Sequence, residues 1–277
     1  MELALESKIR LNNGVEIPVL GLGTSNASGE GAVNAVMCAL EAGYRHIDTA
    51  KLYKNESEVG EGVRRSGVPR DEVFITTKLW NDDHGYDNAL KAIDVSLRNL
   101  EMNYVDLYLV HWPVSGRRTE TWRAMEKILK DGKARAIGVG NFTIRHLEEL
   151  LPEAGIVPAV NQVEFTPYLY QKRLQDYCEA RGIRIEAWAP LTRGLKLNDP
   201  RLVEVARRYE KTPAQVLIRW GLQKGTISIP KSARRERIIE NSQVFDFSIS
   251  SRDMERLDGF NENLRTLGLN PESDMFR

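Results

Sequence analysis

Gly43-Tyr44-Arg45-His46-Ile47-Asp48-Thr49-Ala50-Lys51-Leu52-Tyr53-Lys54-Asn55-Glu56-Ser57-Glu58-Val59-Gly60 is the stretch whose reading decides the fold. Tyr44 to Ile47 reads as a short strand, and Asp48 sits where that strand ends. Tyr53 lies in the loop that follows, and Glu56 opens a helical pattern. A carboxylate and a phenol therefore stand at the mouth of a strand-loop-helix unit, which is where α/β barrels keep their chemistry. A strand-end Asp that caps a turn and a loop Tyr that packs on the surface would leave the same letters. The rest of the chain has to decide.

Working outward, apolar strands recur with amphipathic helices between them. They start near Tyr44, Phe74, Val105, Ala134, Ala159 and Ile183, at intervals of 30, 31, 29, 25 and 24 residues. Each interval holds one strand-helix-strand crossover. Helical spacing appears at Glu30 to Glu41, Glu56 to Arg65, Tyr86 to Asn99, Glu120 to Lys130, Ile144 to Leu151 and Gln171 to Ala180. Val19 to Gly23 is a first apolar strand. Thr226 to Ile229 is a last one, after helical stretches at Arg201 to Tyr209 and Pro213 to Leu222. Eight short, mostly apolar strands suit a buried parallel sheet. The number favours a closed (β/α)8 TIM barrel over a doubly wound open sheet. Before it, Ile9 to Leu11 and Val15 to Ile17 flank Asn12-Asn13-Gly14, a hairpin signature.

The 277 residues fit one barrel domain spanning 1–277. Lys plus Arg balances Asp plus Glu at 39 each, so no overall basic bias points to nucleic acid. Cys38 and Cys178 fall at apolar helical positions and read as buried, reduced thiols, with no metal-type spacing. The N-terminus lacks the basic region and apolar run of a signal peptide, and no apolar run approaches membrane-spanning length. A cytoplasmic protein is expected.

At the carboxyl ends of the strands stand Gly23-Thr24, Asp48, Lys78, His111, Asn141, Gln162, Trp188 and Lys231. Singly, each has a structural explanation: a snorkelling Lys, a core His, a Gln bonded to a loop. Together, at one end of successive strands, they describe one pocket. Asp48 and Lys78 come from neighbouring strands, so an ion pair is natural. A buried cation beside the Tyr53 phenol is expected to lower its pKa towards neutrality. His111 is placed to hydrogen-bond the same acceptor oxygen, and Trp188 offers a flat face to a planar ring. The second cluster is Ile229-Pro230-Lys231-Ser232-Ala233-Arg234-Arg235-Glu236-Arg237-Ile238-Ile239-Glu240-Asn241. It reads as a phosphate site at a helix N-terminus, or as a solvated basic helix start. Gly21-Leu22-Gly23 and Gly138-Val139-Gly140 both lack the third glycine of a Rossmann fingerprint.

At these residues the chain resembles the aldo-keto reductase superfamily, over nearly its whole length from Ile17 to Phe276. Gly43 to Gly60, Ile75 to Trp80, Val105 to Pro113, Asn161 to Glu164 and Ile229 to Asn241 carry the resemblance. It implies a barrel closed at its base by the hairpin, with a short tail over the mouth, and NADPH bound without a Rossmann fold. It implies a catalytic tetrad of Asp48, Tyr53, Lys78 and His111, with Tyr53 as general acid. Cofactor contacts implied are Gly23, Thr24, Asp48 and Leu191, with Asn141 and Gln162 holding the carboxamide and Trp188 stacking on the nicotinamide. Lys231, Ser232 and Arg237 would meet the 2′-phosphate, and Glu240 and Asn241 the adenine. Trp80, Trp112 and His111 would line the substrate pocket, with Met275 folding over it.

The chain departs from the family pattern at Gly140, usually Ser, where a hydroxyl contact worth roughly 1 kcal/mol is expected to be missing. Ser25 stands where an aromatic is common, which would open one wall of the pocket. Trp188, with the short loop and tail, is similar to bacterial reductases of the 2,5-diketo-D-gluconate and aldehyde reductase type. The expected function is NADPH-dependent reduction of small aldehydes, ketones or keto sugars by a cytoplasmic monomer that binds no metal. A nucleotide-sensing subunit on the same fold is the alternative. A metal hydrolase using His46, Asp48 and His111 is a third reading, which the Lys78 charge opposes.

Overall fold

The computed structural model describes residues 3–273; the Met275 expectation lies outside them. A hairpin, β1 (Lys8–Arg10) and β2 (Glu16–Pro18), comes first. The barrel strands follow: β3 (Leu22–Gly23), β4 (His46–Asp48), β5 (Phe74–Leu79), β6 (Val105–Val110), β7 (Ala134–Gly140), β8 (Val160–Glu164), β9 (Arg184–Trp188) and β10 (Ile227–Ser228). They lie side by side in chain order as one eight-stranded sheet, every pairing parallel. Between them run α1 (Gly29–Glu41), α2 (Glu56–Ser66), α3 (Tyr86–Leu100), α4 (Arg118–Lys130), α5 (Ile144–Leu150) and α6 (Lys172–Glu179). Both α7 (Pro200–Arg208) and α8 (Pro213–Gln223) separate β9 from β10, and α9 (Arg235–Ser242) and α10 (Ser251–Asp258) close the chain.

Every residue of β5 and β6 is buried. Strands covered on both faces must be apolar on both, and this is why their sequences read as runs rather than alternations. The sheet closes where β3 meets β10. Gly21 donates to the Ser228 carbonyl at 2.9 Å, Ser228 to Val19 at 2.9 Å, and Gly23 to Pro230 at 3.1 Å. A side chain at Gly21 would sit 2.7 Å from His46 Nδ1, and one at Gly23 2.9 Å from the Ile229 carbonyl. Gly21-Leu22-Gly23 is thus a close-approach seam of the barrel rather than part of a nucleotide loop.

The hairpin plugs the opposite end. Leu11 and Ile17 are buried against Leu107, Leu109, Ala136, Val160 and Ile227 from inside the ring. Asn12 and Asn13 hydrogen-bond the carbonyls of Pro158 and Arg135, near the starts of β8 and β7. At the mouth, Glu164 ends β8 and accepts from the Thr266 amide at 2.9 Å and hydroxyl at 2.6 Å. Arg145 pairs with Glu272 at 2.8 Å. The segment after α10 is thereby tied to the carboxyl end of the strands.

Strand starts fall within two or three residues of the sequence reading. Helix α10 is absent from that reading, although Ser250 is its cap, accepting from the Asp253 amide at 3.2 Å. No helix of the described residues is long and apolar enough to cross a membrane. Replacing Ile17, fully buried in the plug, by Ala should cost about 2–5 kcal/mol in urea unfolding. A loss below about 1 kcal/mol would mean that the hairpin is not part of the core.

Candidate active site

Asp48 is the last residue of β4 and Lys78 the fifth of β5, and β4 and β5 are hydrogen-bonded neighbours. Lys78 Nζ donates to Asp48 Oδ1 at 2.6 Å and to the Thr49 carbonyl at 2.8 Å, with no exposure of its side chain. Gln162, from β8 across the ring, donates to the other Asp48 oxygen at 2.8 Å. Tyr53 closes a 3-10 turn, Lys51–Tyr53, and the Lys78 ammonium lies 5.0 Å from the centre of its ring. His111 follows β6; its ring meets Tyr53 edge-on at 5.9 Å and Trp80 at 5.3 Å. The four residues of the expected tetrad are therefore brought together.

Asn55 and Glu56 hold the Tyr53 loop, and the sequence reading gave them no role. Asn55 donates to the carbonyls of Thr24 and Ala27, both at 2.9 Å, and accepts from Thr49 Oγ1 at 2.7 Å. Glu56 accepts from Thr77 Oγ1 at 2.7 Å and from Asn99 at 3.0 Å. One buried pair thus fixes the turn to β5, to α3 and to the loop after β3. The signal was present: two polar residues directly at a helix start, where capping groups belong.

Electrostatics follow from depth. Burial opposes the Lys78 charge, but Asp48 and its neighbours outweigh it and hold the ammonium above its usual value. Burial pushes Asp48 above the usual carboxylate range, against the pull of Lys78 and Gln162. Burial likewise pushes the Tyr53 phenol up; Lys78 pulls it down, but Asp48 pushes it up again. The net shift is upward, which corrects the expectation of a phenol drawn towards neutrality. Burial is the largest influence; Lys78 pulls harder than Asp48 pushes, but not enough to offset the loss of water around the phenol. His111 is driven well below its ordinary value by burial and by Lys78, so its imidazole is neutral.

The other strand-end residues surround this group. Asn141 takes the left-handed conformation, φ 61°. Its amide donates to the His111 carbonyl at 3.0 Å and accepts from Trp188 Nε1 at 2.9 Å, which orients the indole. Thr24 follows Gly23 and bonds the Asp48 carbonyl through both its amide and its hydroxyl. Leu191 is half-buried in the tight loop after β9. Trp80 is half-buried beside His111, and Trp112, next to His111 in the chain, is largely buried.

The basic cluster stands where β10 runs into α9. Ser232 Oγ accepts from the Arg234 amide at 3.1 Å and shapes the turn. Arg235 is paired with Glu41 at 2.9 Å. Lys231, Arg234 and Arg237 are exposed and have no carboxylate partner among the described residues. Glu240 accepts from Thr212 at 2.6 Å, and Asn241 is buried.

Two features fall outside the expected set. Glu186, in the middle of β9, is fully buried beneath Gln162. It is the one acid in a strand that otherwise reads Arg184, Ile185, Ala187 and Trp188, on the same strand face as Trp188, and that parity was its signal. His46 is committed to Thr76 Oγ1 at 3.0 Å, while Asp48 is committed to Lys78 and Gln162. Two of the three residues of the metal reading thus turn to other partners.

The chain matches the Aldo/keto reductase family over residues 19–262. It is 50% identical, over the full length of both chains, to the glyoxal reductase of Bacillus subtilis (strain 168). Among solved structures it resembles an aldo-keto reductase from a Medee basin deep-sea metagenome library. There the TM-score is 0.93 and the identity 43%, over 96% of this chain and 98% of that one. A Bombyx mori aldo-keto reductase in complex with NADP aligns with a TM-score of 0.89 and 35% identity, over 95% of each chain. The barrel with its strand-end pocket belongs to an oxidoreductase, and the chain is a member of the aldo/keto reductase family.

At Gly140, where the family pattern has Ser, a Cβ would lie 2.7 Å from the His111 carbonyl and 3.1 Å from that of Val110. The backbone leaves no room for the missing side chain. Gly140→Ser should therefore lower stability by about 1–3 kcal/mol and displace His111, rather than restore a contact. Equal thermal stability of the variant and the parent would contradict this.

Proposed function

We propose that the protein reduces small aldehydes, ketones or keto sugars with NADPH, Tyr53 giving the proton. The observation that carries this reading is the Lys78 ammonium, fixed 2.6 Å from Asp48 beneath the Tyr53 ring. A phenol shifted upward keeps its proton at neutral pH and is a donor, not a phenolate. The neutral His111 beside it hydrogen-bonds and orients the carbonyl oxygen. As negative charge grows on that oxygen, the Tyr53 proton moves to it, and the buried ammonium stabilises the phenolate left behind. Reduction adds a hydride to carbon and a proton to oxygen. A nicotinamide held by these residues would supply the first, and Tyr53 supplies the second.

The residues fit the cofactor. Gln162 Nε2 donates both protons to Asp48 and Glu186, and its Oε1 has no partner among the described residues. That oxygen is therefore free to accept from a carboxamide N–H. Asn141 stands beside it, and Trp188 offers its ring. Lys231, Arg234 and Arg237, with the α9 N-terminus and Ser232, suit a phosphate dianion, which favours NADPH over NADH. The Bombyx mori relative in complex with NADP supports this. The glyoxal reductase relative puts small dicarbonyls first in any substrate panel.

Tyr53→Phe should reduce turnover by about 10²–10⁴-fold while NADPH affinity is nearly kept. Equal loss of both would remove the proton-donor role. NADPH binding without turnover of any carbonyl by the parent protein would favour the sensing alternative. Arg237→Ala should weaken NADPH by roughly 1.5–3 kcal/mol in fluorescence titration and barely change NADH. Equal weakening of the two would contradict the 2′-phosphate assignment.

A further inference from the structure

Glu186 is fully buried inside the barrel, and β8 and β9 are in register at Gln162 and Glu186. Its Oε2 accepts from Gln162 Nε2 at 2.9 Å. The same nitrogen donates its other proton to Asp48 Oδ2 at 2.8 Å. One primary amide thus ties together two buried carboxyl groups. With both amide protons committed to carboxyl groups, the Gln162 side-chain oxygen is the atom left without a partner among the described residues.

Stability does not explain Glu186. Its Oε1 has no hydrogen-bond partner and lies 3.5 Å from His46 Nε2, which is itself bonded to Thr76. His46 is held neutral, its pKa lowered to about 3 by burial and by Lys78, so it brings no charge to the acid. The one buried cation facing this space, Lys78, is committed to Asp48. A buried acid with an unpartnered oxygen costs more than an apolar residue of the same size. Leu or Met would fill the place more cheaply.

We propose that Glu186 is a positioning residue, which with Asp48 pins the Gln162 amide so that its carbonyl faces the cofactor carboxamide. This rests on the cofactor assignment above and deepens it. Without Glu186 one amide proton of Gln162 has no acceptor, and the side chain turns to find one. The free acceptor is then lost or shared with a donor, and the carboxamide is held less firmly.

Glu186 also belongs to the electrostatics of the site. The groups facing it are Gln162 from β8, His46 and Asp48 from β4, and Thr76 and Lys78 from β5. Burial, and then the Asp48 charge, push its carboxyl up to about 8. At neutral pH it is therefore a neutral acid. Ionised at higher pH, it raises the Tyr53 pKa and makes the phenol a poorer donor. Turnover should fall as pH rises through that value.

The test compares Glu186→Leu and Glu186→Gln with the parent protein. NADPH binding is read by fluorescence quenching, turnover is read against pH, and melting temperature is the control for folding. Glu186→Leu should weaken NADPH by about tenfold, the worth of one well-placed hydrogen bond. Glu186→Gln keeps an acceptor oxygen and should restore binding to within about twofold. Its alkaline limb of turnover should move to higher pH, because the titrating group is gone. Two results would overturn the proposal: Glu186→Leu binding NADPH as the parent does, or Glu186→Gln binding as poorly as Glu186→Leu while melting like the parent. If Glu186→Leu does not fold, the pH profile of Glu186→Gln decides, and an unmoved limb overturns the proposal. A parent protein that binds no NADPH would instead sink the cofactor assignment.

Discussion

Lys78 and Asp48 form an ion pair with almost no access to water, and the rest of the site is arranged to make that tolerable. Taking two charges out of water costs several kcal/mol per ion unless their remaining donors and acceptors are met. Here the Thr49 carbonyl takes a second ammonium proton, and Gln162 reaches across the ring to the second carboxylate oxygen. Those bonds need β4, β5 and β8 held in one register. The glycine seam between β3 and β10 closes the ring that holds it. The hairpin stops the base, so the pair is approached from the mouth alone. A fault in the closure or in the plug would therefore reach the chemistry through water, even though neither touches it.

The pair also decides what Tyr53 does. A lone buried cation would pull a proton off a nearby phenol. Here burial keeps the phenol protonated against the pull of Lys78, and the ammonium steadies the phenolate after the proton has gone. Neutral His111 fits the same logic, since a second positive charge would have to be buried beside Lys78. Asn55 and Glu56 then keep the Tyr53 turn in place by bonds that bypass the pocket.

Much of this was legible in the sequence. The spacing of apolar runs gave eight strands, because a crossover needs a nearly constant length of chain. Asp48, Lys78, His111, Asn141, Gln162 and Trp188 stood out as functional letters at strand ends. Other features were hidden because they depend on depth and approach. That the Tyr53 shift is upward requires knowing how deeply the phenol is buried. That Gly140 excludes a side chain requires the position of the His111 carbonyl. Gly21 and Gly23 read as a broken nucleotide motif until the β3–β10 contact explained them. Glu186 was readable only as an acid between two apolar residues of a short strand. Its partner, Gln162, is 24 residues away and becomes a neighbour only when β8 and β9 pair.

The most direct test of the ion pair's role is the rate of a single turnover in Lys78→Met, with NADPH affinity and melting temperature measured on the same sample. Losing the cation should leave Asp48 to take up a proton and Tyr53 without support for its phenolate. The rate should fall by about 10²-fold or more while NADPH affinity changes little. A folded variant that turns over at the parent's rate would show that the buried ammonium is not what makes Tyr53 an acid.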